Sequence, residues 1–288
     1  MVLAWVPKSG EFSPNALFNS PKYQIISEAF KNGEMPWGSI CGRCAFNRPE
    51  DPPESHLAHR TIAYFQIEPT LACALKCPAC TRLRQISTRP GPHMLDLGRI
   101  RLLLRSLRAE GYTILNIEFC GQGEPLDHKD FPALLAVVKE FYPKARLRLI
   151  TNGNHSYTEK VGTAFIDEVM VSIDGASQES YQKYRIGGSL NEALQFAKQA
   201  KIAKPQSKVI WKYILFDHND TPEEIELAER TAEQLNIDQL QFVRTHTAGR
   251  SLKWENRTLP LSWINSVDTA TPRIVRESLP STQPLAGP

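Results

Sequence analysis

No stretch of this 288-residue sequence approaches the roughly 18 consecutive apolar residues that would suggest a membrane-spanning helix. The N-terminus lacks a basic segment followed by an apolar stretch and a cleavage site, so the expected location is the cytoplasm. An excess of one charge is also missing. With 34 Lys+Arg against 31 Asp+Glu, the net charge of +3 gives no argument for a nucleic-acid or membrane-surface partner unless the basic residues cluster. Cysteine is scarce, six in all and none after Cys120. In a chain without an export signal these are poor disulfide candidates, because the cytosol keeps thiols reduced, and metal binding or catalysis becomes the favoured use.

What is present is enough apolar material, 41% of residues, to bury a full core. The length fits one catalytic domain with extensions, or at most two small domains. Residues 1–60 are rich in Pro, Asn, Ser and Gly, with one amphipathic stretch around Tyr23 to Phe30, and read as an irregular extension. From residue 61 the texture changes. Apolar or β-branched runs recur at Thr61 to Ile67, Thr113 to Phe119, Ala145 to Ile150, Glu168 to Ile173, Lys208 to Phe216 and Gln239 to Val243, each a buried parallel strand by pattern.

Between them lie helical patterns at Leu97 to Glu110 behind a cap at Asp96, Phe131 to Phe141, Asn191 to Ala203, and Pro222 to Leu235 behind a cap at Thr221. A short crossover falls around Thr158 to Phe165. Strands alternating with helices imply right-handed βαβ units. The expected fold is α/β, a (β/α)6 partial TIM-like barrel of parallel strands over residues 61–247. Residues 248–288 read as a C-terminal extension whose last ten residues are disordered by composition.

Five of the six cysteines fall in two tight groups, Cys41-x2-Cys44 and Cys73-x3-Cys77-x2-Cys80. The second group directly follows the first strand, the end of a parallel sheet at which α/β folds place ligands. Iron–sulfur cubes normally take four thiolates, so a loop offering three leaves one iron free to bind something else. The alternative is zinc, which wants a fourth Cys or His at close spacing; His93 is the nearest downstream candidate.

The Cys-x3-Cys-x2-Cys pattern at the end of a first strand resembles the radical S-adenosylmethionine superfamily, and the likeness extends over about residues 61–247. Ala79 stands where the family often has an aromatic residue; small residues there do occur in its peptide-modifying branch. The resemblance implies a [4Fe–4S] cluster on Cys73, Cys77 and Cys80. It also implies that the open iron chelates the amino and carboxylate groups of S-adenosylmethionine, and that reductive cleavage yields a 5′-deoxyadenosyl radical that abstracts hydrogen from substrate. An electron donor such as flavodoxin or ferredoxin is implied with it.

Further segments match in order. Cys120-Gly121-Gln122-Gly123-Glu124-Pro125 is similar to the family's Gly-Gly-Glu element, which receives the methionine amino group. Thr151-Asn152-Gly153-Asn154 supplies a turn with amide side chains, and Ser172-Ile173-Asp174-Gly175 and Tyr184-Arg185-Ile186-Gly187-Gly188 look like the Ser-x-Asp-Gly and Tyr-Arg-x-Gly-Gly elements. By that likeness Ser172 and Arg185 bind the methionine carboxylate, for which a guanidinium fork is suited. Asp174 is a site candidate, with a helix cap as the commoner role at such a turn. The resemblance also puts the backbone near Ile214 and Leu215 at the adenine and Asn219 near the ribose.

Other features stay open. Asn19 to Tyr23, Phe30, Gly33 and Cys41 to Cys44 resemble the tail of a SPASM domain, the auxiliary-cluster extension of peptide-modifying members, which implies a peptide substrate. Here that segment precedes the barrel and offers only two ligands, too few for a metal site alone. Cys120 reads as a small buried hydrophobe. Arg82, Arg84 and Arg89 form a solvated basic loop or hold an anionic substrate, and His246 and Thr247 follow the sixth strand, where they would face substrate. Two other classes fit the cysteines without the later segments: a non-catalytic iron–sulfur module and a zinc-dependent α/β protein.

Overall fold

The computed structural model describes residues 13–15, 19–34, 60–88, 93–245, 247–253 and 274–276. Cys41, Cys44, Arg89, His246 and the last ten residues lie outside them. In chain order the elements are α1 (Pro21–Lys31), β1 (Thr61–Ile67), α2 (Arg82–Thr88), α3 (Leu97–Ala109), β2 (Thr113–Phe119), α4 (Phe131–Phe141), β3 (Arg146–Thr151) and α5 (Tyr157–Lys160). Then come β4 (Glu168–Ser172), α6 (Gln178–Tyr184), α7 (Leu190–Ala203), β5 (Lys208–Ile214), α8 (Pro222–Gln234), β6 (Gln239–Val243) and β7 (Ile274–Arg276).

The strands follow one another in the order β1-β2-β3-β4-β5-β6-β7. From β3 to β7 every pairing is parallel, with Val169 opposite Leu149 and Val209, and Lys212 opposite Ser172 and Gln241. This is the α/β fold with an open parallel sheet that the alternation of elements predicts. The six expected strands are present within a residue or two of their expected ends. The seventh, Ile274–Arg276, was not expected: three residues are too few for any hydrophobic period to be read. The helices α2 and α6 are further additions, each only seven residues long.

The chain forms two compact units. One comprises residues 1–65, 95–117 and 133–145. In it Ile100, Leu104 and Leu107 of α3 pack in an apolar core that includes Ile114, Ile117, Leu134 and Val138. Asp96 caps α3 by accepting from Arg99 N–H, as expected from its position. The bidentate pair of Arg101 and Glu140, at 2.6 and 2.7 Å, is exposed and adds little to stability.

The second unit comprises residues 66–94, 118–132 and 146–288 and contains the loops that follow the strands. Alternation sends Leu147, Leu149, Val169, Val171, Trp211 and Tyr213 into its core. Phe119 meets Phe131 edge-on at 5.4 Å, and Tyr157 meets Phe196 in the same way. The opposite face of the sheet carries a charged row beside Met170 and Ile210: Glu118 of β2, Arg148 of β3, Glu168 of β4 and Lys208 of β5, with Arg148 3.0 Å from Glu118 and 2.6 Å from Glu168. The caps at Ser189 and Thr221 and the capping box of Ser177 with Ser180 set the starts of α7, α8 and α6.

Candidate functional site

The segment from Leu71 to Cys80 leaves β1 as a loop fastened to its neighbours. Thr70 Oγ1 accepts from Ala72 N–H, Glu124 N–H donates to Ala72 O at 2.8 Å, and Lys76 N–H donates to Ile186 O at 2.9 Å. Glycine at 123 is required by close approach, since a Cβ there would collide with the Thr70 carbonyl and Leu71 Cα. The three cysteines of the loop are each met by a different strand-end segment. Cys80 Sγ lies 3.8 Å from Gln122 O after β2, Asn152 Nδ2 after β3 lies 3.7 Å from Cys73 Sγ, and Arg185 Nη1 after β4 lies 3.9 Å from Cys77 Sγ.

Burial pushes the Cys73 and Cys77 thiols up, against the opposing charges of Arg82 and Arg185 respectively. Buried thiols of this kind ionise when a metal takes the charge. Among the described residues no three His, Cys, Asp or Glu side chains gather around a point where one metal ion would sit. A cube differs from a single ion in this respect, because its ligated irons are separate corners. Near the loop, His93 contributes its carbonyl, which accepts from Leu71 N–H and Thr70 Oγ1. Three thiols on one loop, two of them met by an amide and a guanidinium donor and the third facing the Gln122 carbonyl, fit an iron–sulfur cube with one open corner.

The remaining site candidates fall into two sets. Ser172, at the end of β4 and only 7% exposed, shows no side-chain partner among the described residues. Arg185 is held by Asp174, Nε to Oδ2 at 2.6 Å, and Asp174 also accepts from Ile214 N–H. Asp174 is therefore not a helix cap; Ser177 has that role. Glu124 is turned into the protein, where its carboxylate accepts from Thr151 Oγ1, Asn152 N–H and Leu126 N–H; burial pushes its pKa up. Asn219 is fully buried, with its side chain bonded to the backbone of Asp174, Ile214 and Phe216. Leu215 N–H donates to Val243 O, and Ile214 O accepts from Asn219.

Two readings are corrected. Arg82 is not solvated: it is buried and donates to Leu71 O and Leu75 O, both at 3.3 Å. Cys120 is half-buried on the sheet face that carries Glu118 and donates to Glu118 Oε1 at 3.0 Å, and burial with that carboxylate pushes its pKa up to about 12. Thr247, expected to face substrate, bonds to Thr245 Oγ1 through its N–H and its hydroxyl, which leaves that expectation as it stands. Arg84 is exposed. Sequence reasoning missed Glu68, which accepts from Gln122 N–H, and Asp127, which accepts from Ala74 N–H and pairs with His155 at 3.1 Å. The short interval between Glu124 and Asp127 was the only available signal for the latter.

The model of the Radical SAM superfamily matches residues 67–232, and the chain belongs to that superfamily. Its members bind a [4Fe–4S] cluster and S-adenosylmethionine. Among curated relatives, the GTP 3′,8-cyclase of Campylobacter curvus is 26% identical over 137 residues, 47% of this chain and 42% of that protein. That of Nautilia profundicola is 28% identical over 138 residues, with the same shares. The chain thus matches less than half the length of these relatives. Among solved structures, Streptococcus suis SuiB superposes with a TM-score of 0.54 at 15% identity, over 91% of this chain and 63% of that one. The structure of anSMEcpe with bound AdoMet gives 0.51 at 16%, over 65% and 55%. At these identities the likeness is one of fold.

Proposed function

We propose that Cys73, Cys77 and Cys80 hold the cluster and that the strand-end loops around them hold S-adenosylmethionine for radical chemistry on a peptide. The observation that carries the reading is the one-to-one meeting of the three thiols with Gln122, Asn152 and Arg185. When bound, the two cofactors supply an electron and the 5′-deoxyadenosyl group that becomes the hydrogen-abstracting radical. The chain's part is to orient them. Arg185, kept in place by Asp174, and Ser172, with its hydroxyl uncommitted, receive the methionine carboxylate. The backbone at Gly121 to Gly123 and the side chain of Gln122 border the amino group, with Glu124 bracing the adjoining turn from behind.

Asn219 shapes the end of β5 around Ile214 and Leu215, the wall assigned to the nucleoside. Residues 61–247 form the catalytic domain in this reading, flanked by extensions at 1–60 and 248–288, and flavodoxin or ferredoxin is the donor class. The peptide assignment rests on the SPASM-like segment ending in Cys41 and Cys44. No helix among the described residues is long and apolar enough to cross a membrane.

A second reading, GTP as substrate, is favoured by the curated relatives named GTP 3′,8-cyclase. One experiment addresses both. After anaerobic reconstitution, dithionite and S-adenosylmethionine should yield 5′-deoxyadenosine, and Cys77→Ala should remove cluster and product together. Product surviving that substitution, or zinc without sulfide in the purified protein, overturns the cluster assignment. Stimulation of turnover by GTP but not by peptide would move the substrate to the second reading.

A further inference from the structure

Arg82 opens α2 two residues after the last cysteine of the loop. Its side chain folds back under the loop, where Nη1 and Nη2 take the carbonyls of Leu71 and Leu75, two residues either side of Cys73. The residue is 9% exposed. Buried cations are expected to be paired, because removing a charge from water costs several kcal/mol unless an opposite charge compensates. Yet none of the ion pairs among the described residues includes Arg82. Arg185, the other guanidinium near these thiols, is paired with Asp174 at 2.6 Å.

The guanidinium of Arg82 carries a full positive charge. Its field reaches Cys73, where it opposes those of the Glu124 and Asp127 carboxylates. A cube on three thiolates carries net negative charge, which grows by one on reduction. That anion would lie beside a buried cation that has no ion-pair partner among the described residues.

We propose that Arg82 is a positioning residue of the cluster site: its fork fixes the backbone on both sides of Cys73, and its charge favours the reduced cluster. The inference rests on the cluster assignment above. Net charge and hydrogen bonding around a cluster are the levers by which a protein sets its potential. Removing the charge should make the cluster harder to reduce. Keeping the charge on an ammonium, which cannot span both carbonyls, should preserve the potential while loosening the loop.

The test uses the anaerobically reconstituted full chain and its Arg82→Gln and Arg82→Lys variants, with the midpoint potential read by electron paramagnetic resonance in a redox titration. Arg82→Gln is expected to lower the ratio of reduced to oxidised cluster about tenfold at a fixed poise, a shift of about 59 mV for a one-electron couple. Arg82→Lys should keep the wild-type midpoint but lose iron faster to a chelator. Equal midpoints in all three proteins overturn the proposal, whatever their iron content. If Arg82→Gln does not fold, as judged by circular dichroism of the apo-protein, Arg82→Lys decides: iron loss at the wild-type rate overturns the proposal. A wild-type chain that takes up no cluster overturns the cluster assignment instead, which separates the two failures.

Discussion

The guanidinium of Arg185 rests on the carboxylate of Asp174 at 2.6 Å, and Asp174 has no exposed surface at all. The second oxygen of Asp174 takes the Ile214 N–H, so one buried carboxylate joins the end of β5 to the residue that reaches Cys77. Breaking a buried pair by removing one partner leaves the other charge uncompensated.

Asp174→Ala is therefore expected to lower the unfolding free energy of the apo-protein by about 3 kcal/mol or more. Asp174→Asn, which keeps an acceptor for Ile214, should cost less. Urea unfolding followed by circular dichroism measures both, and an unchanged midpoint for the alanine variant would contradict the pairing. In reconstituted protein the alanine variant should also bind S-adenosylmethionine more weakly, since Arg185 loses its support.

Gly123 gives a sharper steric test. Any Cβ there meets the backbone of Thr70 and Leu71, which cannot rotate away as a side chain would. Gly123→Ala should cost on the order of 1–3 kcal/mol, the usual penalty of overpacking, and should reduce the iron retained per chain because the strain falls at the start of the cysteine loop. Thermal unfolding and iron analysis check the two parts separately. Gly33→Ala is a poor control, since its φ of 71° strains any side chain, even with nothing within 4 Å. Glu192→Gln on the exposed start of α7 serves better.

The motifs could be read because their chemistry is local. Spacing alone set Cys73, Cys77 and Cys80 on one loop, and period and caps placed six strands and the four longer helices of the barrel region to within a residue or two. What spacing could not show is direction. Glu124 and Asn219 stand in family-like positions, yet both side chains point inward, Asn219 to backbone groups and Glu124 to backbone N–H groups and the Thr151 hydroxyl, a result of where β3 and β5 end in space. Arg82 failed for the same reason: a basic residue in a polar loop looks solvated until the fold places two carbonyls over it. Cys120 followed the alternation of β2 onto the face that carries Glu118, where a carboxylate rather than apolar packing meets it.

Glu224 supplies a prediction about pH. It sits in the first turn of α8, and its carboxylate accepts from the hydroxyls of Ser177 and Ser180 and from Ala176 N–H, joining that helix to the start of α6. Burial pushes its pKa up, but these hydrogen bonds outweigh it and hold the carboxyl below the ordinary carboxylate range. A group whose pKa is depressed by folding stabilises the native state above its unfolded value, about 4.3 for glutamate, and that contribution fades as pH falls through the lower folded value. Glu224→Gln should therefore be less stable than wild type near pH 7, with the gap closing below about pH 4.3. Urea unfolding of both apo-proteins at a series of pH values measures the gap. A difference that stays constant down to pH 3 would show that the ionised form of Glu224 has no advantage in the folded protein.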